Sequence, residues 1–426
     1  MPRSTTQRPP VNRASPVNGG ARPGPAFAYG GLIALLASPL ALLAGDARAG
    51  GGAPEHGPGA AIAECYEFTV IPPLGIAGES GQRLVDLNEN GVVLLHALPH
   101  HTPWYRGDAQ QTAFVFAGKV RPVVVDGLLQ TRAVDINDRD EVLVFGAKNP
   151  GVLPEWSEAV IWRHGELVAR IASPPGTAFT DGAINERGHL VLETRAPRVY
   201  RWRGQALEDL DMQHFTVFND ADEVFDDAGT KWGDHRSELP TTCSEVRHLD
   251  LSISRHGTLA GMLYCDDLDW PNAVLVTWPE GQFTRLADET EWTELWGVTD
   301  RGDIIGETFD DFVLPVAWRH GETVRLPRPP STYAGFYADI NEHGLMVGAF
   351  DRREAVDFEG DDPDSYLFAV SDGTRVKQLP LPDPLVGYLD PIAGINDRGD
   401  IVGCVDDMGY DYRTMIWLPR PAAACP

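Results

Sequence analysis

Short apolar stretches alternate with polar turns along almost the whole chain, and no apolar period of 3.6 residues is sustained after the first 50 residues. One pattern recurs: an apolar residue, Asn, two polar residues, Gly or Asp, then an apolar run. The copies read VDLNENGVVLL, VDINDRDEVLVFG, GAINERGHLVLE, TVFNDADEVF, LSISRHGTLAG, WGVTDRGDIIG, ADINEHGLMVG and AGINDRGDIVG. Their Asn-equivalent positions are Asn88, Asn137, Asn185, Asn219, Ser254, Thr299, Asn341 and Asn396, spaced by 49, 48, 34, 35, 45, 42 and 55 residues. Two alternating runs around such a tetrad form a strand–turn–strand unit. Asn or Ser bonds its own backbone to start the turn, and Gly takes the left-handed position that closes it. These Asn residues are therefore expected to be structural rather than ligating.

A second hairpin follows in most copies, as in AVIWRHGELVARI, VLVTWPEGQFTRL and PVAWRHGETVRL. Trp162, Trp202, Trp278, Trp318 and Trp417 fall at one equivalent place in it and are expected to fill the gap between neighbouring units. Four strands per unit and a period of about 40–50 residues predict an all-β chain folded as a β-propeller of four-stranded blades. Seven or eight blades fit. The fourth unit is short and poor in apolar residues, so the eighth blade depends on whether it forms. The chain opens on a lone strand, YEFTVIPPLG, and ends on RTMIWLP, which lacks a following strand. Pairing of these ends would close the ring and remove exposed sheet edges. Cys65 and Cys425 flank the two segments and are expected to form a disulfide; a Cys243–Cys265 bond is a weaker expectation, and five cysteines leave Cys404 over.

The repeats resemble the HAF repeats of probable extracellular bacterial proteins. The copies from Ala393 to Gly403 and from Tyr337 to Gly348 carry the resemblance best, and the entry PLGIAGESGQRLVDLN is similar to the family's usual approach to its first repeat. The resemblance covers nearly all of residues 64–420. The family's His-Ala-Phe start of the third strand is mostly replaced here, as in QTAFVF and EAVIW. The resemblance implies an exported repeat protein and brings no catalytic residues with it.

Composition adds the compartment. Arg3, Arg8, Arg13 and Arg22 precede an apolar run from Ala26 to Ala44, and Ala47-Arg48-Ala49 supplies a small-x-small cleavage site. The expected organisation is a signal peptide over 1–49, a linker over 50–63, the propeller over 64–420 and a tail over 421–426. A secreted, periplasmic or cell-surface location follows. Gly30, Gly31 and Pro39 interrupt the apolar run and argue against a retained membrane span. Cleavage removes five arginines and one aspartate, taking the net charge from −27 to −31. Such a surface disfavours nucleic acid and anionic lipid, and favours cations or basic partners. A monomer is expected.

Candidate chemistry lies in the connections from second to third strand, which are long and varied, as functional loops tend to be. HALPHHTPWYRGDAQQ carries Trp104 and Tyr105, and CDDLDWPNA carries Asp266, Asp267 and Trp270. ETFDDFVLP carries Asp310 and Asp311. Asp361 and Asp362 lie in FDRREAVDFEGDDPDSY, and Asp406 and Asp407 in CVDDMGYDY. Three readings stay open: a docking face for a basic, carbohydrate or protein ligand, a calcium site built from several carboxylates, and a solvated acidic rim with no ligand. An enzyme of hydrolase or lyase type, with paired carboxylates at the central mouth, is the rival class. No nucleophile elbow, phosphate loop or dinucleotide fingerprint is present. Asp86-Leu-Asn88-Glu-Asn90-Gly91 starts like a helix–loop–helix calcium loop, but Ala97 stands where the bidentate Glu belongs. Of the Arg-Gly-Asp triplets at Arg106, Arg301 and Arg398, the last two fall in the repeat's own turn.

Overall fold

A computed structural model describes residues 61–72, 74, 79–99, 113–148, 155–233, 236–239, 246–254, 257–265, 273–278, 284–290, 293–309, 313–319, 322–352, 366–381, 388–407 and 411–425. The strands form eight antiparallel four-stranded sheets, a β-propeller of eight blades. Blade 1 begins with Glu79–Leu87, blade 2 with Gln130–Ile136, blade 3 with Phe179–Ile184 and blade 4 with Val217–Phe218. Blades 5 to 8 begin with Val246–Ile253, Thr293–Val298, Ala334–Ile340 and Tyr388–Ile395. The first strands of neighbouring blades approach one another around the centre, whereas fourth strands such as Glu322–Arg325 are exposed. The opening strand Cys65–Val70 is the fourth strand of blade 8. It pairs antiparallel with Asp411–Arg420, Tyr66 opposite Pro419 and Phe68 opposite Trp417. A disulfide joins Cys65 to Cys425 just beyond that pair. Cys404 is a buried free thiol; Cys265 is disulfide-bonded, and its expected partner Cys243 lies outside the described residues.

The hydrophobic core is divided into eight clusters, one at each blade junction. Alternation along each strand sends one set of side chains to the preceding blade and the other to the next, so strands such as Val142–Ala147 are buried throughout. The recurring tryptophans lie in these junctions: Trp162 between blades 1 and 2, Trp278 between 4 and 5, Trp318 between 5 and 6, and Trp417 between 7 and 8. Trp202 packs from blade 3 against the core it shares with blade 2. Each ring is spacer and seal, as its place in the repeat predicts.

The Asn turns do more than reverse the chain. In each, the Asn Oδ1 accepts backbone N–H groups of its own turn, from Val92 on Asn88 and from Glu141 on Asn137. The Nδ2 then donates to the main-chain oxygen of the next blade's Asn: Asn88 to Asn137 at 2.9 Å, Asn137 to Asn185 at 2.9 Å, Asn185 to Asn219 at 3.1 Å and Asn341 to Asn396 at 2.9 Å. Asn396 donates to Asn88 at 3.1 Å, so the belt runs across the junction of blades 8 and 1. An acidic residue follows most of these Asn positions, and its carboxylate accepts the preceding blade's N–H at the same position. Glu89 N–H donates to Asp138, Asp138 to Glu186, Glu186 to Asp220, Asp300 to Glu342, Glu342 to Asp397 and Asp397 to Glu89. Ser254 and Thr299 have no amide to donate. There Thr258 Oγ1 donates to the carbonyl of Asp300 instead. Asp140 and Asp222 hold the left-handed position (φ 58° and 64°) that glycine holds in other turns.

Blade 4 is complete but reduced, with strands of two or three residues, Val217–Phe218, Val224–Phe225, Thr230–Trp232 and Arg236–Glu238. Arg201 of blade 3, only 2% exposed, reaches into it. Its Nη1 donates to the carbonyl of Asp222 at 2.6 Å and its Nη2 to that of Gly233 at 3.1 Å, while Glu208 holds the other side of the guanidinium. A charged clamp thus reinforces the apolar cluster at the junction of blades 3 and 4.

Candidate functional site at the central opening

Antiparallel order within each blade places the two hairpin turns on one rim and the second-to-third connections on the other. Trp104, Tyr105, Asp266, Asp267, Trp270, Asp310, Asp311, Asp361 and Asp362 fall in such connections and lie outside the described residues. Asp406 and Asp407 end the second strand of blade 8, their backbones opposite Tyr412 and Asp411. Among the described residues no group of three or more His, Cys, Asp or Glu could hold a metal ion, and no helix is long and apolar enough to cross a membrane. Asp86 lies within an inner strand, its Oδ1 accepting the Leu87 N–H at 2.7 Å, and not at the head of a helix–loop–helix calcium loop. Arg398 of the third Arg-Gly-Asp triplet is ion-paired to Asp400 within its own turn.

The two rims differ in how far their polar groups are spent. On the turn rim the Asn side chains are committed to main-chain carbonyls of the next blade, and the following carboxylates to main-chain N–H groups of the preceding one. About 15 Å further along the inner strands, five residues before each turn, the chain places Arg83, Arg132, Thr180, His214, Glu294 and Phe336 on blades 1, 2, 3, 4, 6 and 7. Charge is distributed unevenly among them. Arg132 lies within electrostatic reach of Arg83 on blade 1 and of Asp181 on blade 3. His214 Nδ1 is 2.9 Å from Oε1 of Glu193. Glu294 sits directly across from Glu307 on blade 6, and Trp296 stacks on Phe336 of blade 7 at 4.8 Å. These residues carry no recurrent motif. Only their constant offset from the repeat's Asn marks them in the sequence.

Burial sets the ionisation of several acids. Asp339 lies between the inner strands of blades 7 and 8 and accepts the N–H groups of Ile340 and Ile395, yet burial pushes it up to about 7. Asp135 plays the same part between blades 2 and 3, accepting from Ile136 and Ile184; burial and the neighbouring Asp86 hold its carboxyl well above the usual range. Glu307 is 4% exposed, its Oε2 has no hydrogen-bond partner, and burial beside Glu294 raises it to about 8. A raised folded-state value means the folded chain holds the proton more tightly than the unfolded chain. The resulting stability is complete below about pH 4 and is lost as pH climbs through 6 to 8. The thermal midpoint should therefore fall between about pH 5 and 8 and level off above that. Glu307→Gln, which keeps the shape of the neutral acid, should flatten that fall; equal slopes for both proteins in a calorimetric pH series would show that Glu307 ionises freely.

No protein-family model matches the chain, and no curated protein matches it in sequence. Solved structures are similar to it at low identity. An oligogalacturonate lyase from Vibrio parahaemolyticus is 10% identical over 86% of this chain and 100% of its own, with a TM-score of 0.45. The β-propeller domain of the Trilobed protease from Pyrococcus furiosus is 10% identical over 79% of this chain and 95% of its own, with a TM-score of 0.44. YCF48 bound to D1 peptide is 12% identical over 85% and 97%, with a TM-score of 0.43.

Proposed function

We propose that the protein is an exported binding module of the HAF-repeat type, which takes its ligand at the central opening on the rim of the second-to-third connections. The observation that carries this reading is the contrast between the rims. One is closed by hydrogen bonds running from blade to blade. The other carries Arg83, Arg132, Glu294 and the stacked Trp296 and Phe336, and among the described residues Arg83 has no hydrogen bond or ion pair. The Cys65–Cys425 disulfide supports export, since such bonds persist in oxidising compartments. The acidic connections bearing Asp266, Asp310 and Asp361 would extend the same face, with calcium as a candidate stabilising ion there.

Glu294 and Glu307 support a second reading. A carboxylic acid held protonated beside a carboxylate is what general acid–base catalysis requires, and an enzyme could use this opening too.

Glycan and peptide arrays test the choice, probed with the wild-type chain, with Glu294→Lys at the opening, and with His343→Glu on the turn rim, where His343 is exposed. Binding that Glu294→Lys abolishes and His343→Glu leaves intact is the expected result. Binding sensitive only to His343→Glu would overturn the assignment of the face. Cleavage of a bound array member would establish the enzyme reading.

A further inference from the structure

In a chain of net charge −27, arginines are expected to be neutralised by nearby acids. Most are: Arg139 by Glu141, Arg198 by Asp209, Arg375 by Asp372. Arg83 is the exception that matters. It is half-buried on the inner strand of blade 1, and no hydrogen bond or ion pair to it exists among the described residues. It lies within electrostatic reach of another arginine, Arg132, at the same position of blade 2. Burial lowers the proton affinity of Arg132, and repulsion from the Arg83 guanidinium adds to that lowering. Arg132 offsets this in part through Asp181 and through its Nη1, which donates to the carbonyl of Thr180 at 2.9 Å. His96 lies against the same strand, its Nδ1 accepting the N–H of Ala133 at 3.3 Å. On the far side of Arg132, the hydroxyl of Thr180 is buried with no hydrogen-bond partner. The inner edges of blades 1 to 3 thus bring together an unpaired cation, a second cation whose donors are only partly used, and an unused hydroxyl.

We propose that Arg83, Arg132 and Thr180 form a subsite for an oxyanion, a carboxylate or sulfate group carried by the ligand. Guanidinium groups offer paired donors in a fixed plane that matches such an anion. An anion there relieves the repulsion between the two arginines, and the Thr180 hydroxyl supplies a further donor. The subsite deepens the binding-module reading and rests on it: the ligand is acidic at one end although the protein is acidic overall. Glu294 stands on blade 6, opposite blade 2 in an eight-bladed ring, so the same ligand meets an anionic wall across the opening.

The test uses the full chain with two probes, sodium acetate and sodium sulfate, against sodium chloride at matched ionic strength, read by thermal midpoint and isothermal titration. Wild type should be stabilised by at least one oxyanion relative to chloride. Acetate alone points to a carboxylate and sulfate alone to a sulfate ester; either supports the subsite. Arg83→Gln should weaken the response about tenfold or more. It should do so with a midpoint in chloride no lower than wild type, since it removes repulsion and no bond. Thr180→Val should weaken the response by a smaller factor. A wild type indifferent to both anions, an Arg83→Gln chain that still responds, or one destabilised in chloride would each overturn the proposal. On the arrays, ligands lost by Glu294→Lys but kept by Arg83→Gln would remove the subsite and leave the binding face standing. Ligands lost only by His343→Glu would remove the binding face itself.

Discussion

Replacing Cys65 with serine should lower the thermal midpoint by about 4–7 °C without changing the blades. The disulfide closes a loop of 360 residues, and its main effect falls on the unfolded chain, whose freedom it restricts. Loop entropy for so long a segment sets an upper value of about 6 kcal/mol, and removal of a native bond typically costs less, about 3–5 kcal/mol. A domain of this size has an unfolding entropy that converts this to a few degrees. The native ends stay together without the bond, because Cys65–Val70 is hydrogen-bonded along its length to Asp411–Arg420, and Phe68 and Tyr66 pack on the core shared by blades 7 and 8. Cys425→Ser should therefore match Cys65→Ser, and the double variant should match either. Scanning calorimetry checks the size, and amide exchange at Tyr66–Val70 checks the place. An unchanged midpoint would mean that the opening strand detaches early in unfolding, so that the bond constrains nothing the unfolded chain could use.

The repeat, the turns and the inter-blade tryptophans are legible in the sequence because each is local and repeated, whereas the choice between seven and eight blades is not. Asn-x-x-Gly needs only its own four residues to specify a turn, and Trp318 is as apparent at one position of its hairpin as Trp417 is in the last. What Asn137 does with its second polar atom is not local. Its Nδ2 bonds a carbonyl 48 residues on, and Asn396 bonds one 308 residues back. A sequence read one turn at a time shows half of that side chain's work. The central charges were missed for the opposite reason. Arg83, Arg132 and Glu294 belong to no motif, and sequence reading directs attention to the dense runs of aspartate in the connections. Only once the inner strands are in register does the position five residues before each Asn become one level of a ring. The fourth unit was ambiguous because its strands are too short to show alternation. A buried arginine supplied by its neighbour, invisible to any pattern of apolar residues, completes it.

That arginine gives the largest expected effect of a single substitution. Arg201→Ala removes donors from the carbonyls of Asp222 and Gly233, leaves Glu208 with Arg203 alone, and opens a cavity at the junction of blades 3 and 4. Losing one side of a buried, hydrogen-bonded charge costs about 3–5 kcal/mol. Glu208 is itself half-exposed and can turn to water, so most of the cost falls on the orphaned carbonyls and the void. Arg201→Lys keeps the charge but cannot reach both carbonyls and Glu208 together, and should recover only part of the loss. Blade 4 has little else to hold it. Its first two strands have two residues each, and its outer strand Arg236–Glu238 is exposed, tied in part by Arg236 lying over the Trp232 ring at 5.0 Å. Arg201→Ala should therefore give a first denaturant transition confined to blade 4, seen as early loss of amide protection at Thr230–Trp232, ahead of unfolding of the remaining ring. A single transition at an unchanged midpoint would show that Val217, Phe218, Val224 and Phe225, packed against their neighbours, hold the fourth blade without the clamp.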